Sequence, residues 1–103
     1  MNRVMPENWN QVISLPKTLL EFSAPWCVPC KKQEKILEEL EKTNTEVSFG
    51  KIDITENDDI VTKMGVKSVP TIIVFSRGKE QSRMVGLQQK EKVEDVLLVT
   101  AWI

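Results

Sequence analysis

Cys27 and Cys30 are the only cysteines of the chain, set three positions apart in Trp26-Cys27-Val28-Pro29-Cys30-Lys31. If a helix begins at this point, its free N–H groups and positive dipole end favour a thiolate on the first sulfur. The second sulfur then lies one helical turn on, placed to attack a mixed disulfide formed by the first. Thiol–disulfide exchange is the chemistry such spacing suits. A C-x-x-C pair beside a β-α-β pattern, in a chain with no secretory signal, points the same way. Metal binding is the rival use of two thiols, and a buried inert thiol the bland one. A structural zinc site takes four ligands, and one C-x-x-C in a chain without histidine supplies two. Only a dimer sharing a metal or an iron–sulfur cluster between two copies would complete that set.

The elements that must position the pair follow from the hydrophobic pattern. Thr18–Ser23 reads as a strand that stops at Ala24-Pro25, and a helix follows from about Val28 to Lys42. Pro29 suits its first turn, where no N–H is missed. The inward face of that helix carries Cys30, Gln33, Ile36, Leu37 and Leu40, with Gln33 the weak member. Glu46–Ile54 is a strand whose apolar residues point to both sides, as a sheet covered by helices requires. Asn57-Asp58-Asp59 offers N-caps for a short helix to about Met64, closed by Gly65. Thr71–Phe75 is a short, continuous apolar run, hence a central strand. Arg77-Gly78 marks a turn into Gln81–Val85, a polar edge strand that Gly86 interrupts. A last helix from about Gln89 to Ala101 turns Val93, Val96, Leu97 and Thr100 to one side. Upstream, Met1–Met5 adds a short edge strand, and Pro6 opens a short helix with Trp9, Val12 and Ile13 on one face. Trp9 and Trp102 read as core or helix-packing residues. The order β-α-β-α-β-α-β-β-α predicts an α/β domain over 1–103, a mixed sheet of four to five strands between helical layers.

Composition narrows the function classes. With 103 residues, 41% hydrophobic and 28% charged, the chain has room for one ordinary globular domain. A formal net charge of -1 leaves no basic field for nucleic acid. No apolar run approaches the ~20 residues of a membrane span. The first residues lack the apolar stretch of a signal peptide, so a reducing, cytoplasmic setting is expected. Two cysteines closing so short a loop would stabilise little, which favours catalysis over a structural staple.

The residues that carry a family resemblance run along nearly the whole chain. They are Phe22 to Lys31, Lys51-Ile52-Asp53, Gly65-Val66, Ser68-Val69-Pro70-Thr71, Gly78 and Val85-Gly86. In order and spacing the chain resembles the thioredoxin family. The resemblance implies the thioredoxin fold, helices on both faces of the sheet, and reduction of protein disulfides without a bound cofactor. It also implies re-reduction by a flavin-containing thioredoxin reductase and a monomeric state.

The resemblance implies roles for particular residues. Cys27 would be the nucleophile and Cys30 the resolving thiol. Pro70 would be the cis-proline facing them, exposing the backbone of Val69 to an incoming peptide. Glu21 stands where the family usually has a buried aspartate that accepts a proton. Burial would raise its pKa, and Lys51 on the neighbouring strand, matching the family's lysine partner, would oppose the rise. The plain alternative is that Glu21 and Lys51 form only an ion pair. Trp26, Val28, Pro29, Val69, Thr71, Val85 and Gly86 resemble the groove around the dithiol, though each also has a packing explanation. Val28 replaces the family's commoner glycine, stiffening the loop and adding apolar surface. Gln33-Glu34-Lys35 stands where the family often has a kinking proline, which puts the kink in doubt. Lys31 and Lys32 read as a solvated face. Two rivals remain: a glutaredoxin-like or isomerase-like oxidoreductase, and a non-enzymatic thioredoxin-fold binding module. The glutaredoxin motif usually has a tyrosine, and this chain has none.

Overall fold

The computed structural model describes residues 1–101, so the packing expected of Trp102 lies outside the described residues. In chain order the elements are β1 (Asn2–Arg3), α1 (Trp9–Ile13), β2 (Thr18–Ser23), α2 (Val28–Thr43), β3 (Ser48–Asp53), α3 (Asp58–Met64), β4 (Thr71–Ser76), β5 (Lys79–Val85) and α4 (Lys90–Thr100). The strands form a five-stranded sheet in the order β1-β3-β2-β4-β5. β1, β3 and β2 run parallel, and β4 and β5 are antiparallel additions. This is the expected α/β order, with the short N-terminal edge strand present.

β2 lies at the centre, and all of its side chains are buried. Successive residues of a strand point to opposite faces. Leu19 therefore packs with Leu37 and Leu40 of α2 and Val93 and Leu97 of α4. Leu20 and Phe22 pack on the other face with Trp9 of α1, Ile60 of α3, and Ile52, Ile73 and Phe75 of the sheet. Burying each large apolar side chain stabilises the fold by about 1.5–3 kcal/mol. Trp9 meets Phe75 edge-to-face with centroids 5.6 Å apart, a core residue as expected. Gly50 makes room for this layer, because a Cβ there would come within 2.8 Å of both Leu20 Cδ2 and Val4 Cγ2.

Boundaries move where turn chemistry intervenes. Arg77 and Gly78 take φ of 50° and 87°, the paired positive values of a type I′ hairpin. Their N–H groups donate to the carbonyls of Leu15 and Ile13 at 2.9 and 2.7 Å, fastening the turn to the end of α1. β5 begins at Lys79 rather than Gln81, because a bulge between Val74 and Phe75 lets the pairing restart beyond it. Gly65 closes α3 in the left-handed region, as predicted. Asn57 holds the N-cap position of α3 without a side-chain cap bond. Its amide donates instead to the carbonyl of Asp53 at 2.9 Å. α2 runs unbroken for 16 residues, through the stretch where a kink was in question.

Candidate active site

The site gathers at one end of the sheet. Phe22, near the end of β2, pairs with Thr71 at the start of β4, and Thr71 pairs with Val85 at the end of β5. Three strand ends thus meet where the chain leaves β2 for α2. Ala24 turns that exit by accepting the N–H of Cys27 at 3.1 Å. Cys27 is the N-cap of α2, with φ -93° and ψ 106°, and Pro29 falls in the first turn. The Cys27 Sγ accepts the N–H of Cys30 at 3.2 Å. A donor aimed at Sγ from a helix N-terminus favours the thiolate, which is the condition the spacing suggested.

Cys27 and Cys30 form a disulfide with Cα atoms 5.3 Å apart. They pack with Ala24 against Ile54 and Val69. Cys27 keeps 4% of its surface exposed and Cys30 none, so an incoming group meets Cys27 first. Around them Trp26, Val28 and Val85 are 70%, 62% and 61% exposed, an apolar rim that no packing in the fold accounts for. Pro29 is exposed beside them and Val69 half-buried. The Val69–Pro70 bond is cis, and Gly86 has φ 87°. The carbonyl of Pro70 accepts the N–H of Gly86 at 2.8 Å, joining the cis-proline to one of the expected groove residues. Thr71 departs from the expectation. Its side chain is buried and its hydroxyl donates to the carbonyl of Ser68 at 2.7 Å, so it closes the turn before β4 and offers no surface.

Glu21 is fully buried, and neither carboxylate oxygen has a hydrogen-bond partner. By strand alternation it shares the face of Leu19, beneath α2. Cys30, Glu34 and Glu38 follow one another at helical i, i+4 spacing, so they form one row along α2. Burial pushes the Glu21 pKa up to about 8; the negative charges of Glu34 and Glu38 add to the rise, and Lys51 opposes it. Lys51 thus opposes the rise as expected, while the plain alternative, a Glu21–Lys51 ion pair, does not form. The two residues are register partners in β2 and β3, yet the Lys51 ammonium donates to Glu34 Oε1 at 2.8 Å. A half-buried carboxylate on α2 takes the lysine because pairing there leaves both charges in contact with water. The hydrogen bond to Glu34 raises the Lys51 pKa.

Glu34 is the functional candidate missed by sequence reasoning. The available signal was its place one turn after Cys30 on a row facing a strand. Gln33, the weak member of the apolar face, is fully buried. Its amide donates to the Gln88 carbonyl at 3.1 Å and accepts the Gln88 N–H at 2.7 Å. That reciprocal pair satisfies a buried polar group and ties α2 to the segment after β5.

A protein-family model described as Thioredoxin matches residues 1–98. The chain belongs to the thioredoxin family. Curated relatives named thioredoxin include that of Chlamydia caviae, 40% identical over 87% of this chain and 88% of its own length. The thioredoxin of Alicyclobacillus acidocaldarius is 34% identical over 84% of this chain and 85% of its own. Among solved structures, Trypanosoma brucei brucei thioredoxin superposes with a TM-score of 0.89 at 28% identity, covering 98% of this chain and 90% of that one. A mutant thioredoxin from Halobacterium salinarum gives 0.86 at 32% identity, covering 92% and 85%. Thioredoxins are thiol–disulfide oxidoreductases, and the Cys27–Cys30 pair is the redox group of this one. Among the described residues, no helix is long and apolar enough to cross a membrane, and no cluster of histidine, cysteine and carboxylate side chains could hold a metal ion.

Proposed function

We propose that this thioredoxin works in the reducing direction, as a general reductant of protein disulfides in the cytoplasm. The observation that carries the reading is a thiol pair at a helix N-terminus, barely exposed at its first sulfur and ringed by exposed Trp26, Val28 and Val85. Such a rim suits apolar segments of partner proteins, with the sulfur at its centre.

The reaction runs in two exchanges. The Cys27 thiolate attacks one sulfur of a target disulfide, forming a Cys27–target disulfide and releasing the other target sulfur as a thiolate, which takes a proton from water. Cys30 gives its proton to the Glu21 carboxylate and attacks Cys27 Sγ. The second target sulfur leaves, and the Cys27–Cys30 disulfide remains. Two electrons have passed to the target. A base with a pKa near ambient pH can take the proton in this direction and return it when the pair is re-reduced. Val69 and Gly86 present backbone to the target, Pro70 shapes the loop opposite the sulfurs, and Lys51 moderates Glu21. The electrons come from a flavin-containing thioredoxin reductase, and the working unit is a monomer. Neither nucleic acid nor a membrane takes part.

Equilibrating the pair against dithiothreitol and glutathione buffers tests the direction. A reduction potential below about -250 mV is expected of a cytosolic reductant, whereas one above about -200 mV would make it an oxidant or isomerase. Cys30→Ser should accumulate mixed disulfides through Cys27, and Cys27→Ser should reduce no target.

A further inference from the structure

Lys51 is the cation set opposite Glu21 in the sheet, and it does not pair with Glu21. Glu34 intercepts it: Oε1 accepts from the Lys51 ammonium at 2.8 Å, and Oε2 lies 3.5 Å from the Ser23 hydroxyl. The three side chains, with Lys31 and Asp53, line a solvent-open cleft of about 180 Å³ beside the dithiol loop. Glu21 does not line that cleft. Glu34 thus engages the lysine in the cleft, which the buried carboxyl does not reach. The Lys51–Glu34 side chains are 41% and 22% exposed. A pair that wet contributes at most about 1 kcal/mol to stability, so folding gives little reason for it.

We propose that Glu34 is a positioning residue of the redox site, holding the Lys51 ammonium off Glu21 so that Glu21 meets the exchange reaction as an unpaired carboxyl group able to take up or release a proton. The inference rests on Glu21 exchanging a proton with Cys30. The charged groups facing Glu21 are Glu34 and Glu38 from α2 and Lys51 from β3, while its partner in β4 is the apolar Ile72. Both α2 carboxylates push the Glu21 pKa upward, and the lysine is the one group that lowers it. Removing the Glu34 charge therefore acts twice, by ending a repulsion and by freeing a cation to approach.

The test follows the Glu21 carboxyl carbon by NMR in the oxidised protein, alongside the pH profile of mixed-disulfide resolution in the reduced one. In Glu34→Gln the Glu21 titration should fall by about one pH unit or more. In a Lys51→Met background the same substitution should shift it less than half as far, because the freed cation is gone. Glu34→Asp, which keeps the charge, should restore most of the original titration. An unmoved titration in Glu34→Gln, or an equal shift in both backgrounds, overturns the proposal. A titration that moves while the resolution profile stays fixed upholds Glu34 and overturns the proton-exchange role of Glu21. All of these side chains except Glu21 reach solvent, so circular dichroism should show the variants folded.

Discussion

The two faces of the sheet share the same strands but differ in what they tolerate. Toward α1 and α3 the buried layer holds no ionisable side chain: Val4, Trp9, Leu20, Phe22, Ile52, Ile60, Ile73 and Phe75 pack together, and the buried Thr18 hydroxyl is satisfied by donating to the Val12 carbonyl at 2.8 Å. Toward α2 and α4 the same strand contributes Leu19, then a buried carboxyl at Glu21 and a buried hydroxyl at Ser23, and the helix above adds Gln33. Glu21, Ser23 and Gln33 lie toward the dithiol end, Leu37, Leu40, Val93 and Leu97 pack beyond them, and the buried Thr100 hydroxyl at the far end is satisfied within its own helix by the Val96 carbonyl at 2.8 Å. One face is free to maximise burial. The other gives up stability locally by burying an unpaired carboxyl beneath the helix that carries Cys30.

That contrast can be broken by substitution. Phe22→Ala, on the apolar face, should cost about 3–5 kcal/mol in denaturant unfolding, leaving the activity per folded molecule nearly intact. Glu21 should do the reverse. Its carboxyl holds a proton to about pH 8 in the folded chain, whereas the unfolded chain releases it near the ordinary glutamate value. The native state therefore binds more protons in that window, and stability should fall by roughly 3 kcal/mol as pH rises from about 5 to about 8. Glu21→Leu should flatten that slope and raise stability at neutral pH, while slowing mixed-disulfide resolution. Gly50→Ala, which crowds Val4 and Leu20, should cost about 1–3 kcal/mol without changing the reduction potential. Arg3→Gln removes an exposed pair with Glu56 and should shift the unfolding free energy by less than about 1 kcal/mol.

Much of this is legible in the chain, and the reasons are local. β2 reads at its observed limits, because Thr18–Ser23 is bracketed by prolines that cannot continue it. Cys27, Pro29 and Cys30 announce the helix start, since the residue types that suit a helix N-terminus are also those the chemistry needs. The cis bond before Pro70 rests on the family resemblance, because an isolated X–Pro bond is seldom cis in folded proteins. The opposition of Lys51 to Glu21 is legible because strand register sets the two side by side, but the bond from Lys51 to Glu34 is missed because only the placement of α2 over the sheet brings that acceptor near. Thr71 is misread for a related reason: position beside the groove does not say which way a hydroxyl turns. Asn57 has the right residue type for a cap, but its side chain is held by donating to the Asp53 carbonyl and its oxygen accepts no helix N–H.

The unbroken α2 also acts as a spacer. It starts on the reactive sulfur and runs 16 residues, so its far end lies about 24 Å from the chemistry. Thr45 and Glu46, exposed just beyond it, are therefore a place to attach a dye, a surface linker or an inserted peptide. Cargo anchored there would sit far from the cysteines and from the exposed rim of Trp26 and Val28.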